Sequence, residues 1–246
     1  PVRSCASSSA TARCATKESK TQFRKEFFKT LLRDVIAALE EKDIHAPLDL
    51  AVSGLALDSR RVSAGTLFFA LPGEKKDGGD FIAEAMARGA VCAVCEQPPE
   101  GERPYILVPD AHKALALCAA VWYGTPAGKM TLVGVTGTNG KTTTTYLIKQ
   151  LLEKTLCVKV GLIGTNQNLI GDKVVPTDRT TPDALTVQRL LAQMANAGCE
   201  YAVMEVSSHA LMQSRVAGIH FRVGVFTNLT QDHLDYHGTM EAYCDA

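Results

Sequence analysis

Apolar side chains recur at three- and four-residue intervals along residues 23–42 (Phe23, Phe27, Phe28, Leu31, Leu32, Val35, Ile36, Leu39). That spacing, ending in a charged run, predicts an amphipathic helix. From Leu50 to Val108 short apolar segments alternate with turn signals. Strands are expected over 66–71, 90–95 and 105–108, and helices over 81–88 and 111–123, with Pro72-Gly73 as a turn and Gly89 as a helix stop. This mixed order predicts a small α/β domain. The run Gly124-Thr125-Pro126-Ala127-Gly128 reads as a boundary. Beyond it come a buried strand at 130–136, a helix at 142–154 and a strand at 158–164. A helix opened by Thr181-Pro182 and stopped by Gly198 follows, then strands at 199–205 and 221–227. Strand–helix–strand alternation predicts a parallel sheet with ligands at the carboxyl ends of its strands.

Composition narrows the class. Of the 246 residues 46% are hydrophobic and 21% charged, with zero formal net charge, which is a globular composition. Nothing in that balance calls for nucleic acid or a membrane surface as partner. No apolar run approaches the roughly 18–20 residues of a transmembrane helix. The first 25 residues differ: Arg3, Arg13, Lys17, Lys20, Arg24 and Lys25 stand against Glu18 alone, amid Ser, Thr and Ala. Such a segment fits an organelle transit sequence or a disordered basic tail, and the chain opens on Pro1 rather than Met. The eight cysteines show no disulfide spacing. Cys92 and Cys95 lie three apart on a predicted strand, so they face opposite sides and make no zinc pair.

The chemistry concentrates in three segments. Thr136-Gly137-Thr138-Asn139-Gly140-Lys141-Thr142-Thr143 follows a predicted strand and precedes a helix. Small residues there let the backbone wrap a phosphate at the positive helix end, with Lys141 reaching the outer phosphates and the Thr142 hydroxyl placed for Mg²⁺. Val135 occupies the place of the first Gly in the usual phosphate-loop pattern. Glu205 ends a strand and is followed by Val206-Ser207-Ser208-His209; a carboxylate at that position can hold Mg²⁺. The third segment, Asp232-His233-Leu234-Asp235-Tyr236-His237, fits either a metal site or a hydrogen-bonded loop, and its place on the same sheet edge favours the metal.

Taken together, residues 136–143, 204–213 and 227–238 resemble the Mur ligases, in particular the branch that extends UDP-N-acetylmuramoyl-L-alanyl-D-glutamate. The likeness runs from about Leu55 to Ala246. Folylpolyglutamate synthases share the T-G-T-N-G-K start without the E-V-S-S-H or D-H-L-D-Y-H-G segments. With the basic tail set at 1–26 by its charge, the resemblance implies a small α/β UDP-binding domain (27–125) and an incomplete P-loop parallel-sheet ATPase domain (126–246). It also implies a cytoplasmic, monomeric amide ligase of peptidoglycan synthesis, organellar if the tail is a transit segment. ATP phosphorylates the substrate carboxylate in that family, and the amine of meso-diaminopimelate or L-lysine attacks the acyl phosphate.

Carried over by position, ATP would lie on Gly137, Thr138, Asn139, Gly140, Lys141, Thr142 and Thr143. Mg²⁺ would be held by Thr142, Glu205 and His233, and Lys141, Glu205 and His233 would serve catalysis. Leu57 and Ser59, in Leu57-Asp58-Ser59-Arg60, would meet the uridine end, and Thr180, Thr181, Ser207, Gln213 and Arg215 the muramoyl-dipeptide. Glu74-Lys75-Lys76 falls at a substrate loop and reads equally as a solvated charged turn. Arg179 stands where the family often has Asn and receives no role. The family also carries a carbamylated Lys after the His-rich segment and a third domain that selects the amino acid. Here no Lys follows Lys173 and the sequence ends at Ala246, so it is expected to bind substrate nucleotide without turning over alone. The competing readings are another ligase of the superfamily and a non-catalytic nucleotide-binding scaffold. Retention of Lys141, Thr142, Glu205 and His233 together argues against the scaffold.

Overall fold

The computed structural model describes residues 30–73 and 76–246. The basic tail, the start of the helix expected over 23–42, and Glu74 and Lys75 lie outside those residues. The part of that expected helix within them is corrected. Thr30–Leu31 (β1) is extended and pairs antiparallel with Ala51–Val52 (β3), and the helix is confined to Leu32–Val35 (α1). Leu32, Val35, Ile36 and Leu39 are buried as the spacing requires. One helical turn and a following turn at 36–38 suffice to bury them, and side-chain period alone cannot distinguish that from a long helix.

The first sheet has the order β2-β7-β6-β5-β4, from Asp43–His45 (β2), Gly54–Ala56 (β4), Thr66–Phe69 (β5), Ala90–Cys95 (β6) and Tyr105–Leu107 (β7). β4 to β7 run parallel, and β2 closes the edge antiparallel. Helix α2 (Ile82–Ala87) ends before Gly89, whose φ of +104° is open to glycine at little cost. Helix α3 (Ala111–Trp122) is capped by Asp110, which accepts the Lys113 N–H at 2.8 Å. The two sheet faces bury separate clusters. Cys92 lies in one with Leu67, Phe69 and Leu115, and Cys95 in the other with Phe68 and Ile82, as alternation along a strand demands.

The second sheet has the order β11-β10-β9-β12-β8-β13. Thr131–Thr136 (β8), Val160–Ile163 (β9), Tyr201–Glu205 (β12) and Val223–Phe226 (β13) are parallel. Asn168–Ile170 (β10) and Lys173–Val175 (β11) add an antiparallel hairpin that the apolar pattern did not announce. Lys141–Leu156 (α4) covers one face, where Val133, Val135, Val160 and Val203 meet Ile148 and Leu152. The other face packs on Val187, Leu190, Leu191 and Met194 of Ala184–Asn196 (α5). α5 begins later than expected. Asp183, not Thr181, caps it by accepting the Thr186 N–H at 2.9 Å, and the Thr181 hydroxyl is committed elsewhere.

The two sheets share a joint. α3 lies against α5, and Ala184 is buried within the first cluster. The Ser214 hydroxyl donates to Asp110 Oδ2 at 3.2 Å, linking the α3 cap to the segment after Ser208–Met212 (α6). The chain closes on two short helices, Leu234–His237 (α7) and Met240–Asp245 (α8). No helix among the described residues is long and apolar enough to cross a membrane.

Candidate functional site

The carboxyl ends of β8, β9, β12 and β13 bring the predicted residues of the second half to one edge. The Gly-rich loop turns from β8 into α4 through two glycines with positive φ, Gly137 (+120°) and Gly140 (+84°). A Cβ on Gly137 would collide with Thr227 Oγ1 and Asn228 O, so the close approach of the loop after β13 also requires glycine there. That neighbouring loop holds the first one by several bonds. Thr138 N–H donates to Asn228 O (2.8 Å), Asn139 N–H to Asn228 Oδ1 (3.1 Å), and Thr227 Oγ1 to Asn139 O (2.8 Å). Gly140 stands at the α4 N-cap without a side chain to cap it, which leaves first-turn N–H groups facing the loop. Lys141 folds back, its Nζ donating to the carbonyls of Gly137 (2.7 Å) and Thr138 (2.9 Å). Burial pushes its pKa below the usual lysine value, while the charges of Glu205 and Asp232 pull it upward.

Glu205, at the end of β12, is fully buried (0% exposed). Its carboxylate accepts from Thr142 Oγ1 (3.0 Å), Thr165 N (2.9 Å) and Thr165 Oγ1 (2.9 Å). A buried carboxylate needs such donors, because desolvation without them costs several kcal/mol. Its backbone carbonyl accepts from Thr181 Oγ1 (2.8 Å), which in turn accepts from Ser207 N (3.1 Å). Arg215 donates to Thr181 O (2.6 Å) and grips Gln213 Oε1 through Nε (3.1 Å) and Nη2 (2.6 Å). Burial lowers the Arg215 pKa, and the nearby Arg179 charge adds to that. Gln213 Nε2 donates to the Tyr236 hydroxyl (3.3 Å), and Thr180 Oγ1 lies 3.0 Å from Thr165 Oγ1. A single chain of contacts therefore joins Thr142, Glu205, Thr180, Thr181, Ser207, Gln213 and Arg215.

His233 makes no bond of its own to that chain and meets it through the rings of His209 and Tyr236. Its backbone is left-handed (φ +53°), a conformation non-glycine residues seldom adopt. Its ring lies edge-on to His209 (5.0 Å) and to Tyr243 (6.0 Å), and it shares no hydrogen bond with Thr142 or Glu205. His237 completes the cluster, with Nε2 at 2.9 Å from Ser208 Oγ. Burial lowers the His209 pKa, and the neighbouring His233 and His237 lower it further. Among the described residues no group of three His, Cys, Asp or Glu is spaced to hold a metal ion. The hard oxygen donors of Thr142 and Glu205 do adjoin, and that pair fits the chemistry of Mg²⁺.

Leu57 and Ser59 sit at the other sheet, in a cleft of about 710 Å³ lined also by Asp58, Phe81 and Arg88. The Ser59 hydroxyl donates to Glu84 (3.0 Å). Arg60 clamps Asp58 through two bonds of 2.9 and 2.8 Å, which holds the Asp58 pKa down at about 2. Lys76 lines the same cleft. Sequence reasoning missed Thr165, which supplies two of the three bonds to Glu205, and Tyr243, whose hydroxyl reaches Thr138. Thr165 could have been found from its position just past β9, beside β12; Tyr243 gave no such signal.

A parallel sheet with a Gly-rich loop running from a strand into a helix, and a buried carboxylate on the adjacent strand, defines a P-loop α/β protein. Two family descriptions match the sequence: "Mur ligase family, catalytic domain" over residues 51–123, and "Mur ligase middle domain" over residues 135–246. The chain belongs to the Mur ligase family. A relative from Parabacteroides distasonis, UDP-N-acetylmuramoyl-L-alanyl-D-glutamate--2,6-diaminopimelate ligase, is 49% identical over 218 residues, covering 87% of this chain and 45% of its own. A solved structure of a ligase of that name superimposes with a TM-score of 0.73 at 30% identity, over 88% of this chain and 44% of that one. MurF ligase from Thermotoga maritima, in complex with ADP, gives a TM-score of 0.50 at 26% identity, over 80% and 42%. The chain thus spans less than half the length of these relatives.

Proposed function

We propose that this chain carries the UDP-substrate and ATP sites of a cytoplasmic ligase that extends UDP-N-acetylmuramoyl-L-alanyl-D-glutamate by a diamino acid. The observation that carries the reading is the unbroken path from Thr142 in the phosphate loop, through buried Glu205, to Thr181 and Arg215. That path supports reading the loop after β8 as an ATP loop, beside a guanidinium suited to carboxylates or phosphates near the end of β12. The name of the Parabacteroides relative supports the substrate, and the ADP in the Thermotoga ligase supports the nucleotide.

In this reading Gly137, Thr138, Asn139, Gly140, Thr142 and Thr143 wrap the phosphates. Lys141 leaves the loop carbonyls to meet the phosphate being transferred. Thr142 and Glu205 would hold Mg²⁺, with His233 brought in from its own cluster; the ion supplies charge neutralisation between anionic oxygens. The glutamyl carboxylate oxygen attacks the terminal phosphorus of ATP, and ADP leaves. The incoming amine then attacks the acyl carbon, loses a proton, and expels phosphate. Ser207, Gln213, Arg215, Thr180 and Thr181 orient the dipeptide, while Leu57 and Ser59 seat the uridine end in the cleft beside β4.

Calorimetry with UDP-N-acetylmuramoyl-L-alanyl-D-glutamate tests the assignment, with UDP-N-acetylmuramic acid and folate as controls. Binding of the dipeptide form, weakened at least tenfold by Arg215→Ala as expected for a lost charge-assisted pair, is the expected outcome. Folded protein that ignores both muramoyl nucleotides would refute the substrate.

A further inference from the structure

We infer that Tyr243 is a positioning residue, bracing the phosphate loop against the His-rich segment and the end of β12. The inference deepens the reading of that loop as the ATP site, and rests on it for its effect on ligands.

Tyr243 is the buried residue of α8, 6% exposed, and its hydroxyl lies 3.1 Å from Thr138 Oγ1. Thr138 Oγ1 also receives the Thr230 N–H at 3.0 Å and lies 3.2 Å from Thr230 O. A hydroxyl has one proton and two acceptor positions. The Thr230 N–H fills one acceptor position and the Thr230 carbonyl takes the proton. The remaining contact is therefore satisfied when the Tyr243 O–H donates. The backbone carbonyl of the same Thr138 accepts from Lys141 Nζ at 2.9 Å. Tyr243 thus fixes the rotamer of the residue on which the loop lysine rests.

The other end of the contact is the ring. It stacks on His237 at 4.9 Å and 29°, and meets His233 edge-on at 6.0 Å. His237 is bonded to Ser208 Oγ, next to Ser207 and three residues past Glu205. The Tyr243 hydroxyl thus serves the loop after β8 and its ring the His-rich segment after β13, and Ser208 after β12 is reached through His237. Loss of the hydroxyl and loss of the ring should therefore act on different ligands, which a residue that merely fills space would not show.

The test compares Tyr243→Phe and Tyr243→Leu in the full chain, by amide hydrogen exchange and by calorimetric binding of Mg·ATP and of the muramoyl-dipeptide nucleotide. Tyr243→Phe should speed exchange of the Thr230 amide and weaken ATP about fivefold, the size of one neutral hydrogen bond. It should leave the dipeptide nucleotide at wild-type affinity, whereas Tyr243→Leu should weaken both. Wild-type exchange at Thr230 together with wild-type ATP affinity in the Phe variant would overturn the inference. A wild-type chain that binds no ATP would sink the nucleotide assignment instead, and exchange at Thr230 would still decide whether the brace exists.

Discussion

At the scale of single residues, the site is governed by which polar groups are buried and what each must bind. Glu205 is tolerated at zero exposure because three donors converge on it, and Thr181 is drawn away from helix capping because the Glu205 carbonyl needs its hydroxyl. Gly137 is set by two demands, a φ of +120° and the contact of the loop after β13. Gly137→Ala should cost about 1–3 kcal/mol in urea unfolding, since the strained backbone and the displaced Thr227 and Asn228 add. It should also disturb ATP binding. Wild-type stability in that variant would mean that the loop after β13 yields freely. The glycine, Lys141, Thr142 and Glu205 were all legible in the sequence, because the phosphate loop and the strand-end carboxylate are local patterns. Thr165 and Tyr243 were not, because their partners lie 40 and 105 residues away.

Among the elements, strands were read more accurately than helices at their ends. The parallel strands β8, β9 and β12 lie where continuous apolar runs placed them, since burial on both faces leaves little choice of residue; β13 also lies on its apolar run, though as the edge strand it is largely exposed. The hairpin β10–β11 escaped notice because it is short and its outer strand is largely exposed. α5 contains one element-level anomaly. Gln188, 1% exposed, has both amide atoms without a hydrogen-bond partner. It follows Ala184 by one turn, on the side of the helix that enters the first cluster. Gln188→Met keeps the length and removes the unsatisfied groups, so the chain should gain about 1–2 kcal/mol. Denaturant unfolding would show it; a loss of stability would mean that the amide is bonded in solution through bound water.

For the whole molecule, the joint between the sheets decides how the two candidate sites relate. Its core is α3 against α5, and the Ser214–Asp110 bond connects it to Gln213 and Arg215. Ser214 holds a left-handed backbone (φ +49°) to make that bond. Asp110→Ala removes both the α3 cap and this tie, and should lower stability by about 1–2 kcal/mol. Ser214→Ala removes the tie alone and should cost less. Equal losses in the two variants, measured by thermal unfolding, would show that the tie and not the cap carries the effect.

By itself the sequence determined the fold class, the Gly-rich loop between β8 and α4 and the candidate residues at strand ends. Those follow from short-range rules: apolar period, turn chemistry, and a loop that must be small beside a phosphate. The tertiary structure alone decided that Thr142, Glu205, Thr181 and Arg215 form one contact chain, that His233 stands in a ring cluster reached from that chain through Tyr236, and that Tyr243 ties the cluster to Thr138. Hydrogen-bond partners across the sheet are set by how strands of distant sequence lie side by side, and no local pattern records that order.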